Sequence, residues 1–223
     1  MNWEAVITSL ELASVTSVLL ILVALPLSYW VAFSGWRWKF LVEAIVALPL
    51  VLPPTVLGFY ILVAMGPQSP IGRWYETIVG HGLPFTFGGL VFASVLYSLP
   101  FAVQPLVSGF AAVDGAYVEA AAGLGASPWR TFRSVVLPLT RGSLLTSAVL
   151  TFTHTVGEFG VVLMLGGNIP GATQTLSISL YDKVQEFNYA AANRTALVLV
   201  AVSLAALLLI YSRRGGLRRG ELV

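Results

Sequence analysis

His154 and Glu158 stand four residues apart in an apolar stretch, and on a helix that spacing puts an imidazole and a carboxylate on one face. Two chemistries use such a pair, a metal ion and a proton relay. Zinc needs at least three protein ligands, the pair is not part of a His-Glu-x-x-His motif, and the other histidine, His81, falls in a loop, so no metal site is expected. An intramembrane enzyme would need a nucleophile with its base, or paired carboxylates at depth. The apolar stretches supply only Glu11 and Glu43, each near an end, and Glu158, so no catalytic residue is assigned. No Gly-rich loop ending in Gly-Lys-Ser or Gly-Lys-Thr occurs, and the chain is expected to bind no cofactor and to leave ATP to a partner. Glu158 then stands as an ionisable group at membrane depth, with a hydrogen-bonded role in a gate and His154 as its expected partner. The hydroxyls of Thr151, Thr153 and Thr155 offer neutral donors to a passing anion, although threonines also bond back to their own helix. Pro53, Pro54, Thr151, Thr155 and Glu158 make up the candidates for the pathway or its gate.

The elements that position these residues follow from composition. Of 223 residues, 57% are hydrophobic and 10% charged, against about a quarter charged in soluble domains. That balance places the chain in a bilayer, and the absence of cysteine excludes disulfides and thiolate metal sites. Five stretches approach the length of about 20 apolar helical residues that a crossing needs: Ile7–Ser34, Phe40–Met65, Phe87–Phe110, Gly142–Leu165 and Thr195–Tyr211. The expected fold is an all-α bundle of five spans forming one domain over residues 1–223. The first stretch is read as a permanent helix and not a signal peptide, because Glu4 and Glu11 occupy the region where such peptides are basic. Asp182, Lys183 and Glu186 make a sixth crossing within Gly166–Asn193 costly.

Basic residues near helix ends stay on the cytoplasmic side. With the N-terminus outside, the inner face collects Arg37, Lys39, Arg130, Arg133, Arg141, Arg213, Arg214, Arg218 and Arg219, and the outer face only Arg73, Lys183 and Arg194. The net charge of +2 therefore reads as a topology signal, not as a nucleic-acid surface. Pro26, Pro49, Pro53, Pro54, Pro100 and Pro105 predict bent helices packed on neighbours or lining a wet cavity. The Gly- and Pro-rich stretch Gly66–Thr86 reads as a surface connection with Trp74, Tyr75 and Phe85 at the interface. No internal repeat is visible, which disfavours a secondary transporter.

Asp114–Pro138 is the most informative segment. Tyr117–Leu124 predicts a helix, Gly125 a left-handed stop, and Ser127-Pro128 the cap and first residue of a second helix. That second helix carries Trp129, Phe132, Val135 and Val136 on one side and Arg130 and Arg133 on another. Glu119-Ala120-Ala121, three residues, Gly125, nine residues, Val135, one residue and Leu137-Pro138 resemble the cytoplasmic signature of ABC-importer permeases, with Val135 where isoleucine is usual. Ala47–Gly58, Gly157-Glu158-Phe159-Gly160 and Gly167–Thr175 resemble the permeases of molybdate transporters in particular, a pattern that sulfate and tungstate permeases largely share. The resemblance implies that residues 114–138 form the coupling helices, with Glu119, Ala120, Ala121, Gly125, Leu137 and Pro138 as coupling residues. It further implies a homodimer, two ATP-hydrolysing subunits docked on those helices, and an external binding protein that delivers an oxyanion, most simply molybdate.

Overall fold

A computed structural model describes residues 2–219, with side chains through Ser212; Arg213, Arg214, Arg218 and Arg219, counted above among inner-face charges, carry no described side chains. The described chain is helical: α1 (Trp3–Phe33), α2 (Lys39–Val51), α3 (Pro54–Met65), α4 (Pro70–Val79), α5 (Phe87–Ala111), α6 (Gly115–Gly123), α7 (Pro128–Thr131), a π-helical turn (Phe132–Val136), α8 (Leu137–Leu139), α9 (Arg141–Gly157), α10 (Gly160–Gly166), α11 (Leu176–Gln185) and α12 (Tyr189–Arg219). Three helices, α1, α5 and α12, are long and apolar enough to cross a membrane alone. Two bent pairs, α2 with α3 (111°) and Pro128–Leu139 with α9 (74°), raise the number to five if each is one span. This is the all-α membrane bundle that the sequence predicts.

The centre of the bundle is α5, flanked by α1 and α9. Ser28 of α1 donates to the carbonyl of Val103 (3.2 Å) and Ser147 of α9 to that of Ala102 (2.6 Å), in the turn that Pro105 loosens. Hydroxyls from neighbouring helices thus satisfy backbone carbonyls that water cannot reach in lipid. Leu20, Ala24, Val46, Ala102, Val103, Leu106, Phe110 and Val136 form one core at the end of the bundle that carries α6. Leu12, Leu90, Val162 and Ile178 form another toward the opposite end.

Two of the expected spans are broken. The stretch Phe40–Met65 bends by 111° between α2 and α3, where Leu52 and Pro53 are extended and Pro54 starts a new helix. A proline at the first helical position needs no N–H, so the Pro53-Pro54 pair ends one helix and opens the next at little cost. The stretch Gly142–Leu165 is interrupted at Glu158 (ψ 135°), which caps α9, and resumes at Gly160 as α10. In the connection Gly66–Thr86 the structure adds α4, capped by Ser69, which accepts from the N–H of Gly72, and ended by Gly80 at φ 84°. Gly166–Asn193 holds α11, a ten-residue helix of which only Leu176, Ser177, Ile178 and Ser179 are buried, too short to cross.

Candidate functional site: the paired breaks around Glu158 and the α6–α8 hairpin

The two breaks abut. A Cβ placed on Gly160 would stand 2.7 Å from Cβ of Pro54, and one on Gly58 would stand 2.8 Å from Cβ of Met164, so α3 and α10 approach at a distance that only glycine permits. Sequence reasoning placed Pro53 and Pro54 among the gate candidates, and the structure brings Pro54 against the residue two beyond Glu158. Thr151, Thr155 and Glu158 line the same stretch of α9, and all three are buried.

The carboxylate of Glu158 is 4% exposed and accepts one hydrogen bond, from Ser94 to Oε2 at 2.8 Å, while Oε1 has no partner among the described atoms. The expected Glu158–His154 contact does not form. His154 instead shares a 2.9 Å hydrogen bond with Ser98 and stacks on Phe101, with ring centroids 3.9 Å apart. Ser98 also lies 3.2 Å from the hydroxyl of Thr155. Because the helix breaks at Glu158, the i, i+4 geometry is lost, and the four-residue rhythm passes to α5, whose Ser94 holds Glu158 and whose Ser98 meets His154 and Thr155. Two serines four apart inside an apolar span were the readable signal for them.

Thr151 Oγ1, Thr16 Oγ1 and Ser17 Oγ are also buried without partners. Thr16, Ser94 and Glu158 each lie four residues from a member of the Leu12–Leu90–Val162 core, so α1, α5 and α9 contribute polar groups to one layer. A buried acid with one hydrogen bond and no cation beside it is costly, with a charged carboxylate costing several kcal/mol. Among the described residues the one salt bridge is Lys183–Glu186 (2.8 Å), far along the chain. Thr153 donates back to the carbonyl of Val149 at 2.7 Å and is satisfied locally.

At the other end lies the hairpin predicted over residues 114–138. Asp114 caps α6, Gly125 takes φ 76°, and Ser127 caps α7 by accepting from the N–H of Arg130. No residue of α6 is buried. Glu119 and Ala120 are exposed, Ala121 is half-buried, and Leu124 is 90% exposed. The second arm is anchored. Phe132 meets Tyr29 of α1 and Phe110 of α5 edge-on, at 5.2 and 6.2 Å between ring centroids, and Val136 is fully buried in the core. Pro138 has no N–H to give Ser134, and the preceding turn relaxes to π-helical spacing, in which Leu137 donates to Phe132 five residues back. Leu137 is half-buried and Pro138 exposed. The hairpin therefore presents a free arm on a fixed one.

Comparison with known proteins names the family. The family of binding-protein-dependent transport system inner membrane components matches residues 24–214. The chain belongs to that family. It is 52% identical over 210 residues to the molybdenum transport system permease protein ModB of Azotobacter vinelandii, covering 94% of this chain and 93% of the relative. It is 34% identical to the ModB of Escherichia coli strain K12 (93% and 91%), and 33% identical to a probable sulfate transport system permease protein cysT of Chlorella vulgaris (80% and 66%). Its fold resembles a chain of the MetNI methionine ABC transporter in inward-facing form (TM-score 0.72, 19% identity, 95% and 94% covered). It also resembles a chain of a bacterial alginate ABC transporter solved with a pentasaccharide-bound periplasmic protein (0.73, 17%, 93% and 76%). The permease is accordingly a multi-pass membrane component of a transport system, and its family is not itself catalytic.

Proposed function

We propose that this permease carries molybdate across the cytoplasmic membrane as a homodimer, driven by two separate ATP-binding-cassette subunits and supplied by an external binding protein. The observation that carries the reading is the 52% identity to a molybdenum permease over nearly the whole of both chains, against 33% over part of the sulfate relative. The basic residues of the loops support an N-terminus outside and a C-terminus inside, which puts α6–α8 on the cytoplasmic face.

In this reading the exposed arm α6, with Glu119, Ala120, Ala121 and the Gly125 turn, seats in a groove of the ATPase, which binds the ATP that this chain does not. The anchored arm, through Phe132, Val136, Leu137 and Pro138, passes the movement to α1, α5 and α9. The paired breaks at Pro53-Pro54 and Glu158 are the bistable element. Two short half-helices that meet through glycines can rock against each other without unpacking the long spans, and the orphaned Oε1 of Glu158 gains a partner when they do.

Co-purification tests the assembly. A tagged permease retains its ATPase subunit, and Gly125→Val weakens that retention at unchanged abundance. Undiminished retention by Gly125→Val would remove the hairpin from the docking surface.

A further inference from the structure

A cavity of ≈ 540 Å³ opens at the α6 end of the bundle between α5 and the start of α9. It is lined by Ser108 and Gly109 of α5 and by Arg141, Ser143 and Thr146 of α9, among apolar neighbours. Its one charged lining group is a cation, its other polar side chains are hydroxyls, and no carboxylate reaches it. Among the described residues Arg141 has no ion-pair partner.

Helix stability does not explain that arginine. It is the first residue of α9, where the helix dipole disfavours a cation, and the N-cap Thr140 makes no side-chain cap but donates its hydroxyl back to the carbonyl of Val136 at 2.8 Å. Thr146 is likewise satisfied locally, donating to Gly142 at 3.0 Å, which leaves Ser108 and Ser143 as the neutral donors that share the cavity lining with Arg141. An exposed arginine that shares a cavity lining with two hydroxyls and no acid matches a tetrahedral oxyanion, which accepts several hydrogen bonds at once. Glu158 stands elsewhere, between α5 and the far end of α9, held by Ser94.

We propose that this cavity is an oxyanion vestibule at the inner mouth of the pathway, with Arg141 as its cationic ligand and Ser108 and Ser143 as hydroxyl donors. That its occupant is the transported anion rests on the proposed function; its preference for anions does not.

The naturally cysteine-free chain allows a direct test. Ser108→Cys, in the assembled transporter in nanodiscs, is reacted with an anionic sulfonatoethyl or a cationic trimethylammonioethyl thiosulfonate, each rate being normalised to that of a small free thiol. Arg141 favours the anionic reagent by roughly tenfold, the effect of one nearby charge in wet surroundings. Added Arg141→Gln abolishes the preference and Arg141→Lys keeps it, and millimolar molybdate slows the anionic reagent in the Arg141 background. A normalised ratio of one in the Ser108→Cys single variant overturns the vestibule, whatever the Arg141 variants do to folding. A preference that survives Arg141→Gln overturns the role of Arg141. A preference without molybdate protection keeps the anion site and overturns its assignment to the transported oxyanion.

Discussion

Ser94 donates a 2.8 Å hydrogen bond to Glu158 across the α5–α9 interface, and it is the only partner the buried carboxylate has among the described residues. Glu158→Gln keeps the shape and that bond while removing a group that cannot be charged here without large cost, so the fold is expected to hold or gain about 1 kcal/mol. Ser94→Ala strips the last partner and lowers stability by about 1–3 kcal/mol. Melting of the purified protein measures both. Uptake falls in both variants when Glu158 belongs to the gate, and wild-type uptake by Glu158→Gln would leave the residue with packing alone.

Gly160 and Gly157 flank the same break with opposite surroundings. A Cβ at Gly160 runs into Pro54, whereas one at Gly157 meets nothing within 4 Å. Gly160→Ala is expected to lose about 1–3 kcal/mol by overpacking α10 on α3, while Gly157→Ala is tolerated. Equal melting temperatures for the two variants would mean that α3 and α10 are not in contact at their breaks.

A clasp holds the loop after α10. Asp182 of α11 accepts from Asn168 (3.0 and 3.1 Å) and from Gln174 (3.0 Å), and Gln174 accepts from Asn2 at 2.6 Å, before the first helix. Asn168 sits at φ 58°, a left-handed conformation that asparagine tolerates better than most residues. Asp182→Ala leaves the Asn168 amide without its acceptor and Gln174 with Asn168 Oδ1 alone (2.9 Å), so the loop over residues 167–175 should be cleaved faster by added protease in vesicles. An unchanged cleavage rate would show that the clasp does not hold the loop.

How far the sequence carried the fold differs by element. The α6–α8 hairpin was readable because each of its punctuation marks is local: Gly125 for a left-handed turn, Ser127 and Pro128 for a cap and first turn, Pro138 for a missing donor. The first and third spans were readable from length and hydropathy. The break at Glu158 was not, because it contains no proline, and its sign, glycines at 157 and 160, is equally compatible with close packing in a continuous helix. The 111° bend at Pro53 was expected as a kink, but that α3 turns back onto α10 depends on Gly58 and Gly160 meeting residues more than a hundred positions away. The helix α4 carried its own signals, Ser69-Pro70 and Gly80, which the surrounding glycines and prolines obscured. Ser94 and Ser98 are legible only as a spacing, because a serine in an apolar span reads as filler until its partner is known.

Orientation can be read by labelling. Arg73→Cys, on the exposed face of α4, is expected to react with an impermeant thiol reagent from outside, and Lys39→Cys only after the membrane is opened. Lys39 holds the carbonyl of Val31 at the end of α1 (3.1 Å), so Arg37→Cys, at an exposed position in the same loop, serves as its control. Labelling of position 37 from outside would reverse the topology, and with it the side on which α6 meets the ATPase.

ATP-driven uptake of labelled molybdate into proteoliposomes is the decisive measurement, made with the permease reconstituted together with its ATPase and binding protein. Wild-type permease is expected to accumulate molybdate only with ATP, undiminished by a large excess of sulfate. Gly125→Val, whose side chain would occupy a left-handed position at a cost of roughly 1 kcal/mol or more, should insert normally yet fail to import. Molybdate uptake that sulfate displaces, or that Gly125→Val sustains at the wild-type rate, would contradict the account.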